Sequence, residues 1–228
     1  MKHSGKARQA ALSLILQSLA LLAAVLIVGG LAWLIGSAIL AFFSVLVVLW
    51  AVFVGFTLYF FRDPEARVPE GPNLILAPAH GTVDVIDETT EAEVMRGPCR
   101  RISIFLSVFD VHVQNAPVSG TVTFFRHQPG RYLNALRSES ASENENVLIG
   151  LEPKERPGTA LGVRLVAGLI ARRIVPWIAP GDAVTRGERI GLIQFGSRVE
   201  LYLPLTARIR TQLRDQVVGG ETVVAAFE

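Results

Sequence analysis

Pro180-Gly181-Asp182-Ala183-Val184-Thr185-Arg186-Gly187-Glu188-Arg189-Ile190-Gly191 runs directly into Leu192-Ile193-Gln194-Phe195-Gly196-Ser197-Arg198-Val199-Glu200-Leu201-Tyr202-Leu203-Pro204. The first twelve residues form a turn between short strands. Gly181 and Gly187 supply left-handed backbone, and Val184 and Ile190 are placed to pack inward. The next thirteen alternate or run apolar like two strands, with Gly196-Ser197 where one ends and the other begins. A serine after a flexible glycine can attack the preceding carbonyl, since glycine adds no side chain and tolerates strained angles. A Gly-Ser pair by itself is an ordinary turn or bulge, so its meaning depends on what surrounds it.

Outward from this stretch the chain reads as short strands with turn punctuation, near 74–77, 82–86, 101–108, 120–126, 146–151, 161–167, 174–178, 189–195 and 198–203. Residues 161–173 also admit a helix. Ala77-Pro78-Ala79-His80-Gly81-Thr82-Val83 recurs 39 residues later as Ala116-Pro117-Val118-Ser119-Gly120-Thr121-Val122, one turn-and-strand motif used twice. Pro64, Pro69, Gly71 and Pro72 make an extended lead into this region.

Upstream of Arg62 the composition changes. Between Ala10 and Phe61 the only polar side chains are Gln17, a few serines, Thr57 and the Tyr59 hydroxyl. One bilayer crossing takes about 20 apolar residues, so the run is expected to hold two transmembrane helices, near 11–35 and 38–61, turning at Gly36-Ser37. Lys2, Lys6, Arg8 and Arg62 flank the pair and the turn is uncharged, which places both ends in the cytoplasm. The expected organisation is a membrane hairpin over 1–62 and a mainly β cytosolic domain over 63–228. The single cysteine, Cys99, excludes an intrachain disulfide and fits a reducing compartment. A formal charge of +2 gives no reason to expect nucleic acid as a partner. No metal-ligand spacing and no phosphate-binding glycine loop occurs, and oligomeric state is left open, a homo-oligomer included.

The turn at 180–191 resembles that of lipoyl- and biotinyl-type barrel-sandwich domains. A carrier of that type needs a lysine at a hairpin tip, and none of Lys2, Lys6 and Lys154 lies there. The shared property is therefore architecture. Ser107-Val108-Phe109-Asp110-Val111-His112-Val113-Gln114-Asn115-Ala116-Pro117-Val118-Ser119-Gly120 carries the chemistry. On a strand Asp110 and His112 share one face, and a histidine beside a carboxylate can move protons near neutrality. This block, the Phe195-Gly196-Ser197 string, Asn144-Glu145-Asn146 and Arg172-Arg173-Ile174 together resemble the short, prokaryotic form of phosphatidylserine decarboxylase, from about Phe60 to Pro204.

The resemblance implies a chain that cuts itself between Gly196 and Ser197. Ser197 Oγ attacks the Gly196 carbonyl to give an ester. A base removes the Ser197 α-proton, the ester is eliminated to leave dehydroalanine, and its imine tautomer reacts with water, losing ammonia, to leave a pyruvoyl group at position 197. The products are a β-subunit, 1–196, and an α-subunit, 197–228. The pyruvoyl ketone forms a Schiff base with the amine of phosphatidylserine and serves as electron sink when carbon dioxide leaves, giving phosphatidylethanolamine. His112 is the candidate proton donor, and Arg101, Arg172 and Arg173, together with Arg100, are candidates for the lipid phosphate or carboxylate. The chain departs from the family at two positions. His80 stands in Pro-Ala-His-Gly where most members have aspartate, and Asn115 stands where long-form members have a histidine. The processing base is therefore either His80, oriented by Asp84 or Asp110, or His112 acting in both steps. A non-enzymatic membrane adaptor on the same fold, and a decarboxylase of a related amino-lipid, are the competing readings.

Overall fold

The computed structural model describes residues 6–130, 144–168, 173–194 and 197–228. It divides into two compact units, Met1–Thr57 and Leu58–Glu228. The first is helical, and the second holds fourteen strands.

A single helix, α1, runs from Lys6 to Phe60. Its apolar stretch, Leu16–Phe60, is long and apolar enough to cross a membrane. The expected turn at Gly36-Ser37, and with it the two-helix hairpin of 11–35 and 38–61, is absent. Ser37 Oγ donates back to the Leu34 carbonyl at 2.9 Å, satisfying itself within the helix. Glycine in a helix costs only about 1 kcal/mol against alanine, and a lone Gly-Ser without proline does not break one. At 1.5 Å per residue the 55-residue helix is about 80 Å long, well beyond the ~30 Å of a bilayer's hydrocarbon.

The strands, numbered in chain order, are β1 (Leu74–Leu76), β2 (Gly81–Glu91), β3 (Gly97–Leu106), β4 (Val113–Asn115), β5 (Gly120–Gln128), β6 (Asn146–Pro153), β7 (Leu161–Ala167), β8 (Ile174–Pro176), β9 (Ala183–Val184), β10 (Arg189–Ile193), β11 (Ser197–Leu203), β12 (Arg208–Ile209), β13 (Gln216–Val217) and β14 (Val223–Ala226). Residues 161–167 are strand, not helix. Eight strands form one sheet in the order β13-β2-β3-β11-β7-β6-β5-β9, and two three-stranded sheets, β1-β14-β12 and β4-β10-β8, accompany it. The core is aliphatic: Ile102, Ile104 and Leu106 of β3 meet Val199, Leu201 and Leu203 of β11 and Val163 and Leu165 of β7, all fully buried.

This order reads the same from both ends because the body is built twice. Leu76 N–H donates to the Pro117 carbonyl (3.0 Å) and Asn115 N–H to the Pro78 carbonyl (2.8 Å), a reciprocal exchange between the two copies of the repeated motif. The turn at 180–191 has a twin in Asp215-Gln216-Val217-Val218-Gly219-Gly220-Glu221, which repeats the pattern Asp182-x-Val184-x-x-Gly187-Glu188. Gly187 and Gly220 both take positive φ (84° and 74°) and donate to Ala116 and Ala77 at 2.8 and 2.9 Å. Gly181 is left-handed and Val184 and Ile190 are buried, as the sequence implies. One half is β4–β10. The other is β1–β3 with β11–β14, and β11 and β7 meet at the seam between them.

Candidate active site

Ser197 opens β11, opposite Leu106 of β3 and Ala167 of β7. A mid-sheet position with ladders on both sides buries it completely, and its Oγ has no hydrogen-bond partner among the described residues. A buried orphan hydroxyl costs stability, so its presence in an otherwise well-paired ladder marks a functional group. Asn144 and Asn146 brace the neighbouring strand end. Asn144 Nδ2 donates to the Ala167 carbonyl at 2.7 Å, Ala167 N–H donates to the Glu145 carbonyl, and Asn146 Nδ2 donates to the Asn144 carbonyl. Glu145 Oε1 meets His127 Nε2 at 2.9 Å.

β3 ends at Leu106, and residues 107–110 form a turn, so Asp110 and His112 do not alternate on a strand. The Asp110 carboxylate accepts the Ser107 N–H at 2.8 Å and holds the turn closed. Its backbone carbonyl, not its carboxylate, meets His112 Nδ1 at 2.9 Å. Because a carbonyl only accepts, Nδ1 carries the proton and the neutral ring keeps its lone pair on Nε2. His112 is fully buried, with its ring centroid 4.3 Å from that of Phe60. Its carbonyl accepts the N–H of Ile193, four residues before Ser197. Burial, only partly opposed by the Asp110 carbonyl and charge, lowers its pKa to about 4. At neutral pH this imidazole is thus a proton acceptor, and it can donate only a proton that it has first taken up.

That shift has a measurable sign. The folded state keeps His112 neutral, while the unfolded chain binds a proton below the ordinary pKa of ~6.5. The contribution is complete above pH ~6.5 and is lost as pH falls toward 4, where the loss reaches roughly 3 kcal/mol. Urea midpoints of uncut protein in detergent should fall over this window, and His112→Phe should remove most of the slope. An unchanged slope in the variant would assign the acid sensitivity elsewhere.

His80 lies just before β2 in the same charge cluster. Burial lowers its pKa, opposed by Asp110 and Glu221 and reinforced by Arg62. Its Nδ1 is buried with no hydrogen-bond partner among the described residues. A Cβ on Gly219 would lie 2.9 Å from both His80 Nδ1 and Asn115 Oδ1, so these two side chains face one another across the Gly219 backbone. Asp84 is not the orienting group, because Arg198 holds it at 2.6 Å. Arg62, next to the helix end, bears electrostatically on both histidines, where the sequence presents it only as a charge flanking the apolar run.

The candidate arginines separate. Arg101 pairs with Asp87 (2.6 Å) and the fully buried Glu200 (3.2 Å), five residues down β3 from the Ser197 end, where it serves the fold. Arg100 donates to the Ala207 carbonyl. Arg173 is exposed, and its carbonyl accepts the N–H of Gln194, which precedes the Phe195-Gly196-Ser197 string. Gly196 and Arg172 lie outside the described residues. Among the described residues no group of His, Cys, Asp and Glu could hold a metal ion.

Comparison with known proteins bears directly on this arrangement. Residues 53–225 match the phosphatidylserine decarboxylase family. Curated relatives include phosphatidylserine decarboxylase proenzymes of Desulfotalea psychrophila (42% identical, covering 79% of this chain and 84% of the relative) and Cytophaga hutchinsonii (42%, covering 81% and 82%). Another, from Magnetococcus marinus, is 43% identical and covers 77% of this chain and 79% of its own. With this match spanning both the Ser197 strand and the His112 turn, the chain belongs to the phosphatidylserine decarboxylase family.

Proposed function

We propose that this protein cleaves itself between Gly196 and Ser197 and decarboxylates phosphatidylserine to phosphatidylethanolamine. The observation that carries the reading is the fully buried Ser197 hydroxyl, without a hydrogen-bond partner among the described residues, at the head of a central strand close in the chain path to His112. The donor set fits a pyruvoyl group derived from Ser197, because this end of β11 is water-excluded and no described side chain competes for its oxygen. Such a group, once formed, supplies an electron sink for the carbanion left when carbon dioxide departs.

The chain's own residues do the rest. His112, its Nδ1–H fixed by the Asp110 carbonyl, takes the proton from Ser197 Oγ and later returns one to the product carbon. Asp110 holds the turn that aims it. His80 tunes the cluster, and the exposed Arg173 meets the anionic headgroup. The body is read as a barrel-sandwich, supported by its paired turns. Its place is the cytoplasmic face of the membrane, supported by the single cysteine, Cys99, which fits a reducing compartment.

Intact mass after hydroxylamine or borohydride trapping tests the core of this reading. Two chains parting at 196/197, with a trapped N-terminus on the smaller, together with product formation from phosphatidylserine vesicles, are expected. A chain that stays whole on long incubation supports the adaptor instead, and a cut enzyme inactive on phosphatidylserine points to another amino-lipid. His112→Ala is expected to slow cutting by about 100-fold or more. His80→Ala should slow it less, and cutting at the normal rate would remove His80 from the mechanism.

A further inference from the structure

The end of α1 is built into the β body. Phe60 is fully buried there, its ring tilted 34° against that of His112 with the centroids 4.3 Å apart. Tyr59 Oη and Arg62 Nη2 both donate to the backbone carbonyl of Phe109, at 3.2 and 2.6 Å, and the Arg62 guanidinium lies 4.0 Å over the Tyr59 ring. The turn carrying Phe109 is thereby locked to the residues where the apolar run stops, yet the Phe109 ring is 63% exposed. A second tie lies just beyond. Asp63 pairs with Arg189 at 2.7 Å, and the next residue, Ile190, accepts the backbone N–H of Trp177, whose indole is 48% exposed. Phe61, 40% exposed, sits between the two ties. Three aromatic side chains of the body are thus fixed to the point where the chain leaves its apolar segment.

We propose that Phe61, Phe109 and Trp177 form an aromatic docking collar that inserts at the lipid headgroup level of the bilayer. The occupant is a membrane surface because residues fixed to the end of a membrane-crossing segment share its depth. Aromatic rings favour that depth, where an apolar body and a wet edge are both satisfied. The proposal rests on the reading that the substrate is a membrane lipid and adds how the site meets it. Residues 107–112 are one short segment, with Phe109 at its outer end and His112 at its inner end. Anchoring the turn in the headgroup layer holds the site's mouth at the plane where the lipid's amine and carboxylate lie.

Fluorescence quenching in the full-length protein tests this without reading activity. Trp33→Phe with Trp50→Phe leaves Trp177 as the only tryptophan. Adding Trp177→Phe and Phe109→Trp moves the probe to position 109. Each variant is reconstituted in vesicles of phosphatidylcholine and phosphatidylglycerol whose acyl chains are brominated either near the headgroup or near the chain end. Both probes are expected to lose about half of their emission to the shallow bromines, to lose much less to the deep ones, and to emit blue of exposed tryptophan. Failure of either probe to be quenched, or stronger quenching by the deep bromines, overturns the collar. An enzyme that is active with an unquenched probe overturns the collar alone. A quenched probe in a protein that does not act on phosphatidylserine overturns the proposed function alone.

Discussion

Ser197→Ala leaves one uncut chain of 24.7 kDa with no trappable carbonyl and no decarboxylase activity. The variant removes the only atom able to attack the preceding carbonyl and the precursor of the electron sink, so neither cutting nor turnover survives. It should do so without harming the fold. Ser197 Oγ makes no hydrogen bond among the described residues, so its loss leaves no partner stranded and relieves a buried polar atom. Thermal unfolding should therefore match that of uncut wild-type protein or lie slightly higher. Intact mass, carbonyl trapping and carbon dioxide release measured on one preparation check all three outcomes. A cut chain from Ser197→Ala would place the break at another residue and sink the mechanism.

Glu200→Ala is expected to cost about 3–5 kcal/mol of stability, against a total of roughly 5–15 for a domain. Glu200 is fully buried in the middle of β11. Its carboxylate accepts from Tyr202 Oη at 2.5 Å and faces Arg101 at 3.2 Å and Arg164 at 3.7 Å. Deleting it leaves two part-buried guanidinium groups with one fewer counter-charge and strands the Tyr202 hydroxyl, which is itself buried. Denaturant midpoints in the Ser197→Ala background, where cutting does not intervene, measure the loss. A change below 1 kcal/mol would mean that water enters this face and screens the charges.

Legibility followed the range of the interactions. Nine strands could be read because each carries its own alternating or apolar run and its own turn residues. β4, β9, β12, β13 and β14 are two to four residues long and exist only through partners far along the chain, such as Gln216 opposite Thr82. The second Asp-x-Val-x-x-Gly-Glu turn, Asp215 to Glu221, was present in the sequence, and matching it to 182–188 would have exposed the doubled body. Arg101 reads as a free cation until β2 and β11 bring Asp87 and Glu200 to it. Asp110 reads as the partner of His112 on a strand. Only the backbone shows that its carboxylate closes a turn while its carbonyl sets the tautomer. The undivided helix reflects the same limit, since Gly36-Ser37 permits a turn without requiring one.

The seam position of β11 changes what denaturation means once the chain is cut. Segment 197–228 supplies β11 between β3 and β7, β13 against β2, and β14 against β1. Before cutting, recovery from the unfolded state is a first-order event within one molecule. Afterwards the same contacts must form between two molecules, so the reaction becomes second order and its midpoint depends on protein concentration. The ladders keep the fragments together while folded, but dilution after melting lets the short one escape. Mature enzyme should thus lose activity irreversibly under heating from which Ser197→Ala protein recovers its fold. Self-cutting fixes the lifetime of each enzyme molecule to a single passage through the folded state.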